Sequence, residues 1–294
     1  MSGSAQGQEW RLSPERSIAL DRPRLMGILN ITPDSFSDGG RHDTIEAAVG
    51  RAMEMESQGA DMIDVGGEST RPGSERVEAG TQMERVVPVI LAIRERSEIP
   101  ISIDTTVSEV AQAAIEAGAD AINDVSAGLE DEAMFPLAAR LSCGLVLMHR
   151  LVPPDQDSYS TSYETPPEYD NVVEQVRDFL HARAQVAQAA GVHPMSIVLD
   201  PGLGFGKTVD QNWQLIRESA GIGGGGFPLL GAASRKSFLA AICGGSDVPP
   251  ARRGPASVAA SQMQYLGGIR LFRVHDVDLH VQGLALVHGV QEPN

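Results

Sequence analysis

The stretch Leu25-Met26-Gly27-Ile28-Leu29-Asn30-Ile31-Thr32-Pro33-Asp34 decides the fold. Its first five residues form an apolar run without polar interruption, the pattern of a strand buried on both faces in a parallel sheet covered by helices. Asn30-Ile31-Thr32-Pro33-Asp34 holds no glycine, so an open doubly wound sheet lacks the glycine-rich turn that is its main signature. Beyond it, Ile45, Ala48, Val49, Ala52 and Met55 recur at helical spacing, with Asp43 as candidate N-cap and Gly59 as the stop. A second apolar run, 62–65, comes next.

This plan of strand, loop, helix and glycine repeats along the chain. Apolar runs stand at 101–103, 121–123, 144–148, 197–199, 228–230 and 271–274. Helical segments at 107–117, 168–190 and 255–266 meet Gly118, Gly191 and Gly267, each expected to end its helix through a positive φ. Eight such units in 294 residues suit a closed parallel barrel. The expectation is an α/β protein, a single-domain (β/α)8 TIM barrel over residues 21–294, preceded by a polar N-terminal extension, 1–20.

Composition sets outer limits. Hydrophobic residues make up 42% of the chain, enough for a sizeable core, and a formal charge of -16 offers no basic face for nucleic acid. No stretch approaches the roughly 20 apolar residues of a membrane-spanning helix. Glu9, Arg11, Glu15 and Arg16 stand where a secretory signal would be apolar, so a cytoplasmic location is expected. Cys143 and Cys243 are too few for a disulfide framework and read as core packing in a reducing compartment. Of 23 basic residues only Lys207 and Lys236 are lysines, and both follow strand ends.

In such a barrel the reactive groups sit at the carboxyl ends of the strands. Asn30 closes the first run, and Asp64 with Gly66-Gly67-Glu68-Ser69-Thr70-Arg71 the second. Asp104 closes the third, Asn123 and Asp124 the fourth, His149 the fifth and Asp200 the sixth. Ser234-Arg235-Lys236-Ser237 follows the seventh, and Arg273-Val274-His275-Asp276 ends the eighth. Any single Asp or Asn there can serve as a helix cap; Asp276 is the clearest such candidate, while Asp104 either caps or faces inward. His149 reads as a packed structural histidine, and His42, His181, His193, His280 and His288 as solvent or packing positions. Lys236 stands at a helix start where backbone N–H groups favour anions, whereas Lys207 reads as lining a loop.

These motifs together resemble the dihydropteroate synthases, a family of pterin-binding barrels. The likeness covers 26–277 and rests on six stretches in order: residues 26–40; Asp64-Val65-Gly66-Gly67-Glu68-Ser69-Thr70-Arg71-Pro72-Gly73; Asn123-Asp124-Val125; Asp200-Pro201-Gly202-Leu203-Gly204-Phe205-Gly206-Lys207; Ser234-Arg235-Lys236-Ser237; and Arg273-Val274-His275-Asp276. Residues 1–20 have no counterpart in it, and 152–167 departs from its pattern.

The resemblance implies condensation of 6-hydroxymethyl-7,8-dihydropterin pyrophosphate with p-aminobenzoate, giving 7,8-dihydropteroate and pyrophosphate in folate biosynthesis. It implies Asp104, Asn123, Asp200 and Lys236 as pterin ligands, with Met148 and Phe205 flanking the ring. Asn30, Arg273 and His275 would hold the pyrophosphate, with Mg²⁺ as cofactor and Asn30 as its protein ligand. Phe36, Thr70, Arg71, Pro72 and Ser237 would line the p-aminobenzoate pocket. Asp38, Lys236, Arg273 and His275 are the implied catalytic residues, Asp38 facing the cationic pterin methylene. Loops 32–41 and 67–76 hold Gly, Pro and Ser, as closing lids do. Sulfonamides, which resemble p-aminobenzoate, are implied competitors, and a homodimer through helices remote from the active rim is the implied assembly. Two other readings stand beside this one: a pterin-binding methyltransferase that passes a methyl group to a corrinoid partner, and a pterin-binding paralogue without turnover. The pyrophosphate and arylamine motifs favour the synthase over the first, and only turnover separates it from the second.

Overall fold

The apolar runs pair side by side into one parallel sheet that curls into a barrel. The computed structural model describes residues 8–31, 41–224 and 226–292, with the backbone alone for 41–43. Two short strands, β1 (Glu9–Arg11) and β2 (Ser17–Ala19), form an antiparallel hairpin. The barrel strands are β3 (Arg24–Asn30), β4 (Met62–Gly66), β5 (Ile101–Asp104), β6 (Ala121–Asp124), β7 (Gly144–Met148), β8 (Ile197–Asp200), β9 (Leu230–Gly231) and β10 (Leu271–Val274). They pair in chain order from β3 to β8, while β10 lies between β3 and β9. A parallel bridge between Leu199 and Leu229, with Leu199 N–H donating to the Pro228 carbonyl at 2.9 Å, spans the gap from β8 to β9.

Around the sheet run α1 (Arg41–Ser57), α2 (Ala79–Arg94), α3 (Ser108–Glu116), α4 (Met134–Leu141), α5 (Val172–Ala189), α6 (Val209–Arg217), the short α7 (Ser219–Ile222) and α8 (Ala240–Cys243), α9 (Gly254–Leu266) and α10 (Val277–Gln291). Several boundaries differ from the sequence expectation, three of them for identifiable reasons. β9 starts at Leu230 rather than 228, since Pro228 has no N–H to give a ladder. α5 starts at Val172 because Asn171 accepts the N–H groups of Val173 and Glu174 and so caps it. Gly59, Gly118 and Gly191 take positive φ as expected, but Gly267 has φ -79° and Gly268, at +97°, makes the reversal after α9. Asp43, expected as the cap of the first helix, instead lies inside α1, which begins at Arg41; its side chain lies outside the described residues. No helix of the described residues is long and apolar enough to cross a membrane.

Strand alternation sorts the chain into an outer and an inner core. Leu25, Leu29, Ile63, Val65, Ile101, Ile103, Ile122, Leu145, Leu147, Ile197, Leu199, Phe272 and Val274 pack outward under the helices in one large cluster. At the bottom of the barrel Met26, Met62, Ala121, Val146, Val198, Leu230 and Leu271 form a second cluster with Trp10, Leu12, Ile18 and Leu20 of the hairpin. From residue 9 onward, therefore, the segment that composition set apart as a polar extension is packed into the barrel as its floor. The Trp10 indole donates to the Ser196 carbonyl at 2.9 Å, and a Cβ on Gly144 would come within 3.0 Å of Leu12 and Trp10. Cys143 is buried as expected, but Cys243, at the end of α8, is only partly so.

Candidate active site at the carboxyl ends of the strands

The same alternation turns polar higher in the barrel. Asp64 on β4, Asp104 on β5, Asn123 on β6 and Arg273 on β10 meet inside it. Arg273 Nε lies 2.6 Å from Asp64 Oδ2, and its Nη2 lies 2.7 Å from Asp104 Oδ2. Asn123 donates to Asp64 Oδ2 at 3.2 Å, and the Ser102 hydroxyl donates to Asp64 Oδ1. Asp104 thus faces inward rather than capping a helix. Among the described residues its buried Oδ1 has no hydrogen-bond partner. Burial raises the Asp104 carboxyl to about 7 against the opposing pull of Arg273, and the Asp64 charge raises it further.

Asp200, at the end of β8, begins the second part. Its Oδ1 accepts the Gly202 N–H at 2.7 Å, and burial raises its pKa against that bond and the charge of Lys236. The chain then doubles back tightly: Gly202 has φ +66°, and a Cβ there would sit 1.9 Å from the His149 carbonyl oxygen. Lys207, fully buried, holds this turn. Its Nζ donates to the carbonyls of Gly202 at 2.9 Å and Phe205 at 2.8 Å and meets His149 Nδ1 at 3.0 Å. Burial pushes the Lys207 ammonium down to about 7, and burial with the Lys207 charge pushes His149 down to about 2. His149, edge-on to Phe179 at 4.9 Å, is the packed histidine its sequence context suggested. Phe205, Met148 and Val125 form a small separate apolar cluster, and Lys236 Nζ lies 3.8 Å from the Phe205 ring centroid. Burial and the neighbouring Arg273 charge lower Lys236 to about 8, while Asp200 and Asp104 hold it up.

Above this floor opens a cleft of about 950 Å³, its mouth included. Asn30, Thr70, Arg71, Pro72, Phe205, Lys236, Ser237, Arg273 and His275 all line it. Asp104, Asn123, Met148 and Asp200 lie deeper, so the described residues among the sequence candidates gather at one end of the barrel. Phe36 and Asp38, with most of the 32–41 loop, lie outside the described residues. His275 accepts or donates through Nδ1 to the Ser234 hydroxyl at 3.1 Å, while its own backbone N–H donates to Ser234 Oγ. Burial and the charges of Arg235 and Arg273 keep its imidazole neutral, so with the Ser234 proton on Nδ1 its Nε2–H is a donor.

Several residues play parts that the sequence did not show. Asp276 stands at the N-terminus of α10 but makes no cap bond; its carboxylate takes the Arg235 guanidinium, whose Nε lies 2.9 Å away. Asp124 is absorbed by its own turn, accepting Ser126 N–H at 2.8 Å and Gly128 N–H. Asp64 carries the Arg273 pair although it lies two residues before the end of its strand. Tyr159, from a loop, and Arg253, at the end of a short 3-10 helix (Pro250–Arg253), line the cleft beside Ser237. Finally, Arg76 approaches Glu68, Glu130 and Asp155, and Gly73 N–H donates to the Pro154 carbonyl at 2.8 Å. These contacts clasp the 67–78 loop to the loops after β6 and β7.

Buried carboxylates beside a small apolar cluster, with cationic and hydroxyl groups lining the cleft above, are the parts of a pterin-binding enzyme, and the chain belongs to that family over residues 26–275. Its relatives place it more narrowly, among the dihydropteroate synthases. It is 46% identical over 253 residues to dihydropteroate synthase of a Streptococcus pyogenes serotype M3 strain, covering 86% of this chain and 90% of that one. The solved structure of Xanthomonas albilineans dihydropteroate synthase with 4-aminobenzoic acid superposes with a TM-score of 0.85 at 40% identity, covering 95% of this chain and 97% of that one. The same organism's enzyme in complex with 7,8-dihydropteroate gives a TM-score of 0.83 at 38% identity, with the same coverage.

Proposed function

We propose that this chain condenses 6-hydroxymethyl-7,8-dihydropterin pyrophosphate with p-aminobenzoate, yielding 7,8-dihydropteroate and pyrophosphate in folate biosynthesis. The observation that carries this reading is the slot itself: Asp104 with its unpartnered buried oxygen and Asp200 stand at an apolar cluster of Met148, Phe205 and Val125. A pterin is a flat ring with a guanine-like edge of N–H donors, and buried carboxylates are its complement. Lys236, in contact with the Phe205 face, supplies a compact charge to the ring's polar atoms.

Reaction at the methylene needs no base at carbon. The C–O bond breaks with its electron pair going to pyrophosphate, the arylamine lone pair forms the C–N bond, and the nitrogen then loses a proton. Asn30, the Nε2–H of neutral His275 and Arg273, which line the cleft, would receive the departing anion, which makes the contribution of the site electrostatic. Asn30 supplies an oxygen at the cleft and fits Mg²⁺, which binds through few protein oxygens and mainly substrate phosphates, and the ion would neutralise the leaving group. By sequence likeness Asp38 faces the cationic methylene, and Phe36, Thr70, Arg71, Pro72 and Ser237 receive the p-aminobenzoate, for which sulfonamides compete.

The test is pyrophosphate release from purified protein given the dihydropterin pyrophosphate and Mg²⁺, with and without p-aminobenzoate, dihydropteroate being followed in parallel. Stoichiometric release and product support the reading; pterin binding without product would overturn it in favour of a binding paralogue. The cytoplasm, where Cys143 and Cys243 stay reduced, is the proposed compartment. A homodimer is proposed through α9 and α10, where Met263, Leu266, Leu279, Leu286 and Val290 are exposed and the spacing of the last three puts them on one helix face. Light scattering that reports a monomer at micromolar concentration would overturn the dimer.

A further inference from the structure

We infer that Tyr159 is a specificity-determining residue for the arylamine, walling the end of the cleft where its para substituent lies. The inference rests on the proposed arylamine pocket. It starts from the long connection between β7 and α5, residues 149–171, which reaches across the barrel mouth to the loop after β9.

That connection is tied down on both sides of Tyr159. Asp157 Oδ2 accepts the Gly206 N–H at 2.9 Å, and its Oδ1 accepts the Tyr163 hydroxyl at 2.6 Å. Ser160 Oγ accepts from the buried Asn212 side chain at 3.2 Å, and Ser160 N–H donates to Ser237 Oγ at 3.2 Å. A turn in which Ser162 N–H donates to the Tyr159 carbonyl at 2.8 Å fixes the backbone between them. The Tyr159 side chain lines the cleft together with Pro72, Phe205, Ser237, Pro250 and Arg253, and it is 43% exposed. A tyrosine on a fixed backbone with its ring partly bare is a preformed contact surface: it covers a flat ligand with little loss of side-chain freedom.

Its neighbours give the chemistry of what it covers. Ser237 Oγ is already an acceptor from Ser160, so its own proton points to a further acceptor. Arg253 is buried and donates to the carbonyls of Val248 and Arg235, yet it enters no ion pair among the described residues. A hydroxyl donor and a positive charge with no acidic partner among the described residues favour an anionic group, the carboxylate of an arylamine, with Tyr159 closing the space beyond it. Extension of that carboxylate into an amide with a further residue would meet the tyrosine ring.

The experiment measures equilibrium binding of p-aminobenzoate and of p-aminobenzoylglycine in the presence of dihydropterin and pyrophosphate, for wild type, Tyr159→Ala and Tyr159→Phe. Product formation is assayed separately. Tyr159→Ala should weaken p-aminobenzoate about tenfold and cut the preference for it over p-aminobenzoylglycine by about tenfold or more, the scale of a lost pocket contact. Tyr159→Phe should keep the preference, and pterin affinity and melting temperature should stay as in wild type. An unchanged preference in Tyr159→Ala, or parallel losses for pterin and arylamine, would overturn the inference. Wild-type protein that binds the arylamine selectively but forms no product would overturn the proposed reaction and leave Tyr159 to be judged by the binding ratio. Wild-type protein that binds no arylamine would overturn both.

Discussion

Replacing Arg273 by methionine should destabilise the protein by an amount that depends on pH. The guanidinium lies between Asp64 and Asp104, both almost wholly buried, at 2.6 and 2.7 Å. Removing one partner of a buried ion pair costs about 3–5 kcal/mol, because the remaining charge stays in a medium that solvates it poorly. That loss is expected at pH 7.5. The two carboxylates can escape it only by taking up protons, and Asp104 already stands at about 7 with Arg273 present. A folded-state pKa above the unfolded value means that the folded state holds more protons between the two, so stability falls as pH rises through that window. Arg273→Met removes the charge that opposes burial at Asp104 and raises that group further, and each pH unit above about 7 over which the variant keeps a proton that wild type has lost corresponds to about 1.4 kcal/mol. Its deficit relative to wild type should therefore grow with pH, by about 1–3 kcal/mol between pH 7.5 and pH 9.5. Urea unfolding followed by the fluorescence of Trp10 and Trp213 measures this, with Arg273→Lys as the variant that keeps the charge. A deficit equal at both pH values, or below about 1 kcal/mol at pH 7.5, would refute the account of the floor as a cation between two buried carboxylates.

Three other perturbations read different parts of the molecule. Trp10→Ala should cost about 4 kcal/mol in urea unfolding while leaving both substrate KM values within twofold, since the hairpin lies beneath the site; a selective change in KM would contradict that placement. Gly202→Ala meets both a positive φ and the His149 carbonyl, so calorimetry should show pterin affinity reduced at least tenfold; normal affinity would mean that the turn after β8 does not position Asp200. Lys207 titrates at about 7 when folded and near 10.5 when unfolded, so the unfolded state holds the extra proton between these values and the stability contributed by Lys207 rises with pH there. The advantage of wild type over Lys207→Met should accordingly grow from pH 7 to pH 9.5 in thermal unfolding, and a constant difference would refute the burial of an ammonium at that turn.

The barrel was legible in sequence because double burial makes each strand a mostly apolar run, and seven of the eight runs lie within the strands found. The exception, β9, is cut short by Pro228, whose missing N–H a pattern of apolar residues does not register. The hairpin left a fainter trace: Trp10 with Leu12 and Ile18 with Leu20 alternate at period two, but in pieces too short to stand out from a polar segment. At the site, strand-end position identified Asn30, Asp104, Asn123 and Asp200 as candidates, since alternation aims strand-end residues into the barrel. It did not show that Asp64, inside an apolar run, would anchor Arg273, nor that Asp124 and Asp276 would be consumed by a turn and by Arg235. Those outcomes depend on contacts between residues as far as 209 positions apart. Tyr159 sits in a loop and Arg253 in a single 3-10 turn, where no periodicity predicts direction.

The hairpin that stoppers the barrel has a kinetic consequence. With the lower end filled by Trp10, Leu12, Ile18 and Leu20, the chamber among the described residues opens at the carboxyl ends of the strands. Within it the carboxylate slot lies below the cleft that Tyr159 and Ser237 border, so the deeper guest must enter first. An arylamine already seated would bar the doorway to the pterin, and excess of the second substrate would slow turnover rather than saturate it.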